Sequence, residues 1–378
     1  MNGGEKILLK IKRVFFICDY VANYGGNFLA CLKNLSDFLS NKNIEVIYVF
    51  PLEAQQKRWE INLSNFNLVY ISFDNKTIMQ FLRNNLKTGD IVHTHFLNGK
   101  KLLSVKRAIK SKKLNIKVIC HEHMNLDPQY GKIKEFLKNT VFHILFYRFY
   151  FIGVSPSVYK RLCIRYDFKK VFLVENAISV KRLNKKGKNP YLDRSKKNIL
   201  IMGSAYSVKG VDIAIKAIDR DKYLRDQVNL NIITHTVNET KEKILDQFGE
   251  EVFSFVRIWP TDSEIQNYYN NSFLFLSPSR HEAFGYSNIE AAYCGDQVIA
   301  SDVPGQNTLK KVPYIYWVKA ENVDQLTDAI KKSVHKSSQK IEYEWRANKK
   351  YIIANYSLTK WTNKIYRVYL DIVKNEGH

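Results

Sequence analysis

Short apolar runs alternate with helical patterns along the chain, and this happens twice, once on each side of a polar segment at 180–197. The runs at 14–18 and 46–50 flank a helical pattern at 27–40, whose apolar residues recur every three or four positions. Apolar runs of this length, joined by helices, are typical of parallel strands covered on both faces. The sequence therefore predicts the α/β class, with two doubly wound, Rossmann-like domains facing a central cleft that opens at the carboxyl ends of both sheets.

The other predicted elements continue the alternation. Further strands are predicted at 91–92, 118–120, 151–154, 171–174, 198–202, 230–233, 255–258, 273–277, 298–300 and 314–318. Further helices are predicted at 211–218, 241–248, 263–270, from 323 onward and at 361–373. The segment at 180–197 is polar and basic and contains Gly187 and Pro190, which is typical of a linker between domains.

Charge is distributed unevenly between the two halves. The whole chain carries a net charge of +23. Residues 1–190 contain 33 Lys and Arg against 13 Asp and Glu, whereas residues 191–378 contain 26 against 23. A basic half of this kind suits nucleic acid, anionic lipid or an acidic substrate. Because no RNP-like, KH or helix-turn-helix signature is present, we expect no nucleic-acid partner.

The cysteines and the apolar segments favour a cytoplasmic protein. Five cysteines are scattered without CxxC spacing, and their odd number argues against a disulfide framework and for a reducing compartment. No cluster has metal-ligand spacing, so we expect no metal site. The longest apolar stretch, 142–154, is too short to span a bilayer and contains His143 and Arg148. The basic residues and brief apolar run at the start predict a first strand rather than a signal peptide.

The stretch SPSRHEAFGYSNIEAAYCG contains the residues most informative about function. The strand at 273–277 is followed by a loop with Glu282. Ser287 and Glu290 then have the S-x-x-E form that opens a helix, and Gly295 closes it. A strand–loop–helix unit directs backbone N–H groups at an anion. A site that binds a phosphate and has a carboxylate on each side to accept hydrogen bonds from hydroxyl groups suits a sugar nucleotide.

This stretch, followed by VIASDVPG, resembles the donor site of retaining glycosyltransferase family 4, whose members have the GT-B fold. The order of elements fits that family from about residue 12 to about residue 375. The resemblance implies an N-terminal acceptor-binding domain at 1–185 and a nucleotide-sugar-binding domain at 186–356. It also implies a final helix at 357–378 that crosses back to the first domain.

The resemblance also implies roles for individual residues. Lys209 is expected to bind the donor diphosphate, Glu282 the hydroxyls of the donor sugar, and Glu290 the ribose hydroxyls. The family's diphosphate-binding arginine is replaced by Ser204, for which Arg257 or Arg280 is a possible substitute. The implied donor-binding set is Gly25, Gly26, Ser204, Lys209, Arg257, Glu282, Ala283, Phe284, Gly285, Tyr286, Ser287 and Glu290. The implied catalytic set is Glu282, His123 and Lys209.

The histidines of the first half come in two pairs that follow predicted strands. In HEHMN, His123 fits the family's histidine near the acceptor better than His121, and both are expected on the acceptor side. In DIVHTHF, His93 and His95 are expected to pack or to cap.

The segment at 133–150 has apolar residues at helical spacing, with Lys132, Lys134 and Lys138 interleaved. A basic, aromatic-rich helix of this kind suits a membrane surface, and a helix buried on two sides fits the pattern equally well.

The resemblance implies a metal-independent, retaining hexosyltransferase without cofactors, which moves a sugar from a nucleotide-sugar, with UDP favoured, to a glycan or polyprenyl-diphosphate-linked acceptor. The expected setting is bacterial surface polysaccharide synthesis (capsule, exopolysaccharide or lipopolysaccharide). The basic half predicts peripheral attachment to the anionic inner face of the cytoplasmic membrane. The alternative is a catalytically weak or inactive GT-B partner that binds glycan or a sister glycosyltransferase, because Ser204 and His235 depart from the family pattern.

Overall fold

The computed structural model describes residues 11–112, 115–124, 126, 131–184, 192–261 and 264–374. The chain forms two compact units. Unit 1 comprises Met1–Ala177 and Leu358–His378, and unit 2 comprises Ile178–Ser357. The boundary between the two units, after Ala177, therefore lies before the polar segment at 180–197 that was predicted to be the linker. Residues 185–191 of that segment, with Gly187 and Pro190, lie outside the described residues.

Unit 1 is built on a parallel sheet of seven strands in the order β3-β2-β1-β4-β5-β6-β7. Its elements in chain order are β1 Arg13–Cys18, α1 Gly26–Ser40, β2 Glu45–Pro51, β3 Asn67–Ile71, α2 Asn75–Asn85, β4 Ile91–His95, α3 Gly99–Lys112, β5 Lys117–Glu122, α4 Lys132–Phe146, β6 Tyr150–Gly153, α5 Pro156–Arg165 and β7 Val171–Leu173. The strand order reverses at β1, which lies between β2 and β4. The crevice for a ligand in such a sheet therefore lies at the carboxyl ends of β1 and β4.

Unit 2 contains a parallel sheet of six strands in the order β10-β9-β8-β11-β12-β13. Its elements are α6 Val180–Leu183, β8 Lys197–Met202, α7 Tyr206–Lys209, α8 Val211–Asp219, α9 Lys222–Gln227, β9 Val228–Thr234, α10 Val237–Phe248, β10 Val256–Pro260, α11 Gln266–Tyr269, β11 Leu274–Ser277, α12 Tyr286–Cys294, β12 Gln297–Ser301, β13 Ile315–Val318, α13 Val323–Val334 and α14 Ser338–Asn355. The order reverses at β8, which pairs with β9 on one side and β11 on the other.

The last helix, α15 Leu358–Lys374, packs into the core of unit 1. Its buried face includes Trp361, Ile365 and Tyr369, which join the apolar cluster formed by β1, β2 and α1. The Tyr369 hydroxyl hydrogen-bonds His93 Nδ1 at 2.8 Å. The buried residues recur every three or four positions, so they form one apolar stripe along the helix. Burial of this stripe holds α15 against unit 1.

Most predicted strands begin and end within one or two residues of the observed ones. The start of the helix α12 differs from the prediction. The S-x-x-E pattern predicted a capping box at Ser287. The observed helix begins at Tyr286 with Gly285 as its N-cap, and no side chain caps it. Gly285 has a φ of 92°, a left-handed conformation that glycine adopts without steric cost. The capping-box interpretation of Glu290 was therefore wrong.

Among the described residues, no helix combines the length and the apolar character needed to cross a bilayer. All five cysteines are free thiols, and Cys18, Cys31 and Cys120 are buried. Burial raises the pKa of the Cys120 thiol to about 12, so this thiol stays protonated and packs as a small apolar group.

Candidate functional site

The loops that follow β8 and β11 meet at the point where the sheet of unit 2 reverses its order. The first loop runs from Gly203 to the start of α8, contains the one-turn helix α7, and carries Lys209 as the last residue of that helix. The second runs from Pro278 to the start of α12 and carries Glu282. Both loops leave the carboxyl ends of adjacent parallel strands, which is where open α/β sheets bind ligands.

Lys209 and Glu282 form an ion pair across these two loops. Lys209 Nζ lies 2.5 Å from Glu282 Oε1, and the Ser279 hydroxyl donates to the same oxygen at 3.3 Å. The Lys209 side chain is 28% exposed and the Glu282 side chain 13% exposed, so the pair can be reached from solvent. A cation and a hydroxyl-accepting carboxylate at one point suit a ligand that contains both a phosphate and a sugar.

Two glycines let the loop of Glu282 pack closely against its neighbours. A Cβ on Gly210 would overlap the Pro278 carbonyl oxygen, and a Cβ on Gly305 would overlap the Glu282 carbonyl oxygen. Gly210 also has a φ of 69°, a conformation that side-chain-bearing residues adopt rarely. These close approaches fix the backbone that carries Lys209 against the backbone that carries Glu282.

Arg280 joins the same two loops. Its guanidinium makes two 2.8 Å hydrogen bonds to the Asp212 carboxylate and donates to the Ser207 carbonyl at 2.6 Å. It also donates to Glu321 at 2.6 Å. Hydrogen bonds to Asp212 raise the pKa of Arg280 above its usual value. Because its donors already serve these partners, Arg280 is a clamp between loops rather than a substitute for the missing diphosphate-binding arginine.

Glu290 is buried in the middle of α12 and has two described partners. Arg182 donates to its Oε1, and the Tyr269 hydroxyl donates to its Oε2 at 3.1 Å. A carboxylate accepts hydrogen bonds only, so Glu290 is an acceptor for the groups around it. Neither Arg182 nor Tyr269 was predicted from the sequence, because both contacts form only when the chain folds: Arg182 is 108 residues from Glu290 and Tyr269 is 21.

The N-terminus of α12 lies at the end of the loop of Glu282. The first N–H groups of a helix have no acceptor within the helix, so those at Tyr286 and Ser287 are positioned to bind an anion. Ala283, Tyr286 and Ser287 are partly exposed, whereas Phe284 is buried and packs edge-on against Tyr286 and Tyr356. Phe284 is therefore a packing residue at this position.

A buried amide network supports this helix end. Gln306 Oε1 accepts from Asn288 Nδ2 at 2.5 Å and from the Ser277 hydroxyl at 3.3 Å. The Ser301 hydroxyl donates to the Ser279 carbonyl at 2.5 Å. The sequence analysis missed this network. No local pattern indicates it, because Gln306 stands among other polar residues such as Asp302 and Asn307.

Ser204 lies beside His235, and these are the two residues that depart from the family pattern. The Ser204 hydroxyl and His235 Nδ1 are 2.8 Å apart, at the carboxyl ends of β8 and β9. Ala205 follows with a φ of 63°, a strained conformation for a residue with a side chain. The imidazole of His235 therefore occupies the neighbourhood in which the family's arginine was expected.

The structure does not bring Arg257 to this site. Arg257 is the second residue of β10, so it lies at the amino end of the strand. Its guanidinium donates to the carbonyls of Phe253 and Val256, at 2.6 and 2.9 Å. The carboxyl ends of the strands carry Lys209 and Glu282, so Arg257 is at the opposite edge of the sheet. The prediction that it joins the donor-binding set is corrected on that ground.

Unit 1 carries its own candidate residues at the carboxyl ends of β1 and β4. Gly25 caps α1 and Gly26 begins it with a φ of 54°. A Cβ on Gly25 would come within 3.2 Å of the Trp59 Cβ, so the glycine allows close packing of this turn. Lys101 pairs with Asp19 at 2.5 Å in the same region. Gly25 and Gly26 thus form a tight, partly exposed turn, and their role in donor binding stays a prediction.

Four histidines pack together in unit 1. His95 Nδ1 lies 3.0 Å from His123 Nε2, and His121 Nδ1 lies 3.3 Å from His93 Nε2. The Phe96 ring stacks on His123, with centroids 4.5 Å apart, and Phe96 has a φ of 62°. His121 is buried within the group, whereas His123 is partly exposed at its edge, so His123 is the better placed of the two to meet a ligand.

Burial keeps these histidines neutral. It lowers the pKa of His123 to about 3, and burial together with repulsion from His123 lowers that of His93 to about 3. Burial and the neighbouring rings hold the pKa of His95 and of His121 well below the usual value. A neutral imidazole can accept a hydrogen bond at its unprotonated nitrogen and donate one from the other nitrogen.

Within the part of the chain that the structure describes, one histidine group has a spacing that would suit a metal ion. His93, His95 and His121 each offer a nitrogen, and these nitrogens lie within 4.8 Å of one another. Two of these histidines, His93 and His121, hydrogen-bond each other. Packing of aromatic rings accounts for the group as well as metal ligation would, and no metal role is assigned to it.

Residues 183–351 match the sequence family described as Glycosyl transferases group 1. A curated relative from Klebsiella pneumoniae, described as an uncharacterized 41.2 kDa protein in the cps region, is 33% identical over 143 residues. That match covers 35% of this chain and 37% of the relative.

Solved structures of glycosyltransferases resemble the whole chain. A glycosyltransferase from Rickettsia africae superposes with a TM-score of 0.76 at 17% identity, covering 97% of this chain and 100% of that one. Anabaena HepE in complex with UDP-glucose gives a TM-score of 0.72 at 14% identity, covering 94% and 98%. Sucrose-phosphate synthase from Thermosynechococcus elongatus gives 0.73 at 15%, covering 96% and 99%.

The chain has the GT-B fold. Its two parallel sheets with flanking helices are those of the GT-B enzymes that it resembles, as the sequence predicted. The family match at residues 183–351 covers less than half of the chain and is to glycosyl transferases of group 1.

Proposed function

We propose that this chain transfers a sugar from a nucleotide-sugar to an acceptor hydroxyl, with retention at the anomeric carbon, as in glycosyltransferase family 4. The observation that carries the proposal is the Lys209–Glu282 pair at the reversal point of the unit 2 sheet. The pair lies on loops that also lead to the N-terminus of α12. A cation and a helix N-terminus suit a diphosphate, and a carboxylate suits the hydroxyls of a sugar.

The donor is proposed to be a UDP-sugar. The Anabaena relative is named in complexes with UDP, with UDP and glucose, and with UDP-glucose. Its identity to this chain is low, so it supports the donor class through a shared fold. In our proposal Lys209 and the N–H groups at Tyr286 and Ser287 bind the diphosphate, Glu282 binds hydroxyls of the sugar, and Glu290 binds the ribose.

In the proposed reaction the acceptor oxygen attacks the anomeric carbon from the face that the leaving group occupies. The bond from that carbon to the phosphate oxygen breaks, and its electron pair leaves with UDP. The acceptor's proton passes to the departing phosphate oxygen. Lys209 and the helix N-terminus stabilise the charge that develops on the diphosphate, and one such contact contributes about 10²–10³ in rate.

The acceptor is proposed to be a glycan or a polyprenyl-diphosphate-linked glycan of bacterial surface polysaccharide synthesis. The relative in the cps region supports a capsule, and the basic half of the chain suits an acidic or membrane-held acceptor. His123 is proposed to meet the acceptor side, because it lies at the exposed edge of the histidine group with its imidazole neutral. His121, which is buried, would support it.

The proposed reaction needs no resident metal ion, because Lys209 and the helix N-terminus supply positive charge at the leaving group. Turnover that is unchanged by EDTA is the expected result. Loss of turnover in EDTA that Mg²⁺ or Mn²⁺ restores would overturn this part of the proposal.

The test is slow hydrolysis of a panel of UDP-, GDP- and ADP-sugars by the wild type and by Lys209→Ala and Glu282→Ala. The matched control is Lys216→Ala, which removes an exposed lysine of α8. We expect one donor to be hydrolysed by the wild type and the control, with at least a hundredfold loss in both site variants. Equal hydrolysis by all four proteins would contradict the proposed roles.

A second candidate function is that of a weak or inactive partner subunit with the same fold. The observation that favours it is the Ser204–His235 contact in place of a diphosphate-binding arginine. This candidate predicts that UDP-sugars bind without turnover, even with acceptor present. Donor turnover that depends on Lys209 would reject it.

A further inference from the structure

The helix α4 and the residue that follows it expose a continuous apolar face. Six large apolar side chains there are between 48% and 78% exposed: Ile133, Phe136, Leu137, Val141, Ile144 and Tyr147. With 3.6 residues per turn, all six fall within an arc of about 140° on one side of the helix. The sequence left open whether this segment is buried on two sides, and the structure shows that one broad face is not.

The opposite side of α4 attaches the helix to unit 1. Phe146 is buried, and the Phe142 ring lies against Gly99, where a Cβ would come within 2.9 Å. Arg165 of α5 donates to Asn139 at 2.8 Å and pairs with Glu135 at 3.6 Å. These contacts hold the helix in one orientation. The apolar face is therefore presented outward by a fixed element rather than by a loose one.

The charges of α4 are arranged around the exposed face. Lys132 and Lys134 are exposed, and helical geometry puts them just beyond the two edges of the apolar arc. Glu135 is the one acidic residue of α4, and it turns inward to Arg165 and Lys138. The exposed face thus carries lysine on both flanks and no carboxylate.

The basic border continues beyond the helix. Lys170 donates to the Tyr147 carbonyl, which brings the turn Phe168–Lys170 beside the end of α4. Phe168 in this turn is itself 66% exposed, and Lys169 follows it. An exposed aromatic next to lysine repeats the arrangement of the helix and widens the surface.

We propose that this face of α4 is a docking surface for an anionic lipid bilayer. Charge complementarity favours a bilayer as the binding partner. The apolar face would contact acyl chains, and the lysines beside it would contact the negative headgroups above them. A partner protein would have to match an apolar face that is flanked by lysines on both sides. The helix lies in the interface plane with its six apolar side chains inserted, and Lys132 and Lys134 meet the headgroups.

The experiment is co-sedimentation of the full chain with vesicles of phosphatidylcholine alone or with 30% phosphatidylglycerol (about one anionic lipid in three). Ile133→Ser/Ile144→Ser removes apolar contacts, and Lys132→Gln/Lys134→Gln removes charge. The matched controls are Ile61→Ser/Ile353→Ser and Lys241→Gln/Lys364→Gln, which change exposed residues elsewhere.

We expect binding to the anionic vesicles only, weakened at least tenfold by each α4 variant and less than twofold by each control. Thermal unfolding of the variants checks that they remain folded. Binding that the α4 variants do not weaken, or equal binding to both vesicles, would overturn the proposal. So would a change of oligomeric state in Ile133→Ser/Ile144→Ser with vesicle binding intact, because the face would then join two copies.

Docking does not depend on the proposed reaction, and the two can fail separately. UDP-sugar hydrolysis in the absence of vesicles reports on unit 2 residues, none of which is changed in the α4 variants. We expect that hydrolysis to be equal in the wild type and in both α4 variants.

Discussion

Lys209 Nζ lies 2.5 Å from Glu282 Oε1, so the two residues that distinguish this site neutralise each other across two loops. The pair places a positive and a negative charge side by side in the site. A diphosphate approaching Lys209 is attracted by the ammonium and repelled by the adjacent carboxylate. The two residues therefore act on a bound nucleotide with opposite signs, and this opposition makes their roles separable by experiment.

Gly305→Ala is expected to damage the site without touching any ligand. The new methyl group would overlap the Glu282 carbonyl, so the loop must shift. Overpacking of this kind costs about 1–3 kcal/mol of unfolding free energy, and donor hydrolysis should fall at least tenfold. Urea unfolding and hydrolysis measure the two effects. Gly131→Ala is the control, since its Cβ meets nothing within 4 Å, and equal behaviour of the two variants would contradict this packing account.

Arg280→Lys is expected to loosen the two loops. Lysine cannot reproduce the paired 2.8 Å hydrogen bonds to Asp212, although it keeps the positive charge. Because Arg280 acts through loop position, we expect donor hydrolysis to fall about tenfold in Arg280→Lys and further in Arg280→Met. Steady-state kinetics of both variants measure this. Full activity in Arg280→Met would show that the clamp is dispensable.

Substitution of Ser204 and His235 tests whether this position, where the family has an arginine, lies in the diphosphate site. If His235 occupies the place of that cation, Ser204→Arg with His235→Gly restores the family pattern. A charge-assisted hydrogen bond contributes about 1.5–3 kcal/mol, so we expect the double variant to bind UDP about ten- to a hundredfold more tightly. Calorimetric titration of UDP into wild type, both single variants and the double variant measures it. Unchanged affinity in the double variant would place Ser204 outside the diphosphate site.

The histidine group predicts acid sensitivity of unit 1. Burial lowers the pKa of His93 and His123 to about 3 and holds His95 and His121 well below 6.5. The unfolded chain therefore binds more protons than the folded one below pH 6.5, and stability that is fully present above this pH is lost as pH falls toward 3. Each histidine contributes roughly 1.4 kcal/mol per pH unit in that window.

Urea unfolding between pH 7.5 and 5 measures this loss. Glu122 acts in the opposite direction over part of the range, because burial raises its pKa to about 6. We expect His121→Asn to reduce the slope of stability against pH by about one proton. His335→Ala, at an exposed position, is the control. A wild type equally stable at pH 7 and pH 5 would contradict the burial of neutral imidazoles.

The sequence predicted the fold well because the signals that determine it are local. Apolar runs and helical spacing identified strands such as 198–202 and 273–277, and these lie within a residue of β8 and β11. The strand β3 and the helices α2, α3, α5 and α14 were missed. In α14 the apolar positions are few, and polar residues occupy much of its surface.

The site was predicted in part for the same reason. Lys209, Glu282 and Gly285 sit in loops next to strong strand signals, and the structure brings the loops of Lys209 and Glu282 together. Arg182, Asp212 and Gln306 could not be predicted, since their contacts join residues far apart in the chain. Arg257 was misplaced because residue type alone does not tell which end of a strand a side chain occupies.

The most direct test of the central claim is the affinity of UDP and of the turned-over UDP-sugar for wild type, Lys209→Ala and Glu282→Ala, measured by calorimetry. We predict that Lys209→Ala weakens both ligands at least tenfold, because it removes the cation and leaves the Glu282 carboxylate facing the phosphates. Glu282→Ala should bind UDP as tightly as the wild type or more so, while losing affinity for the UDP-sugar relative to UDP. If Lys209→Ala binds UDP with wild-type affinity, the pair is a structural ion pair and the proposed donor site is wrong.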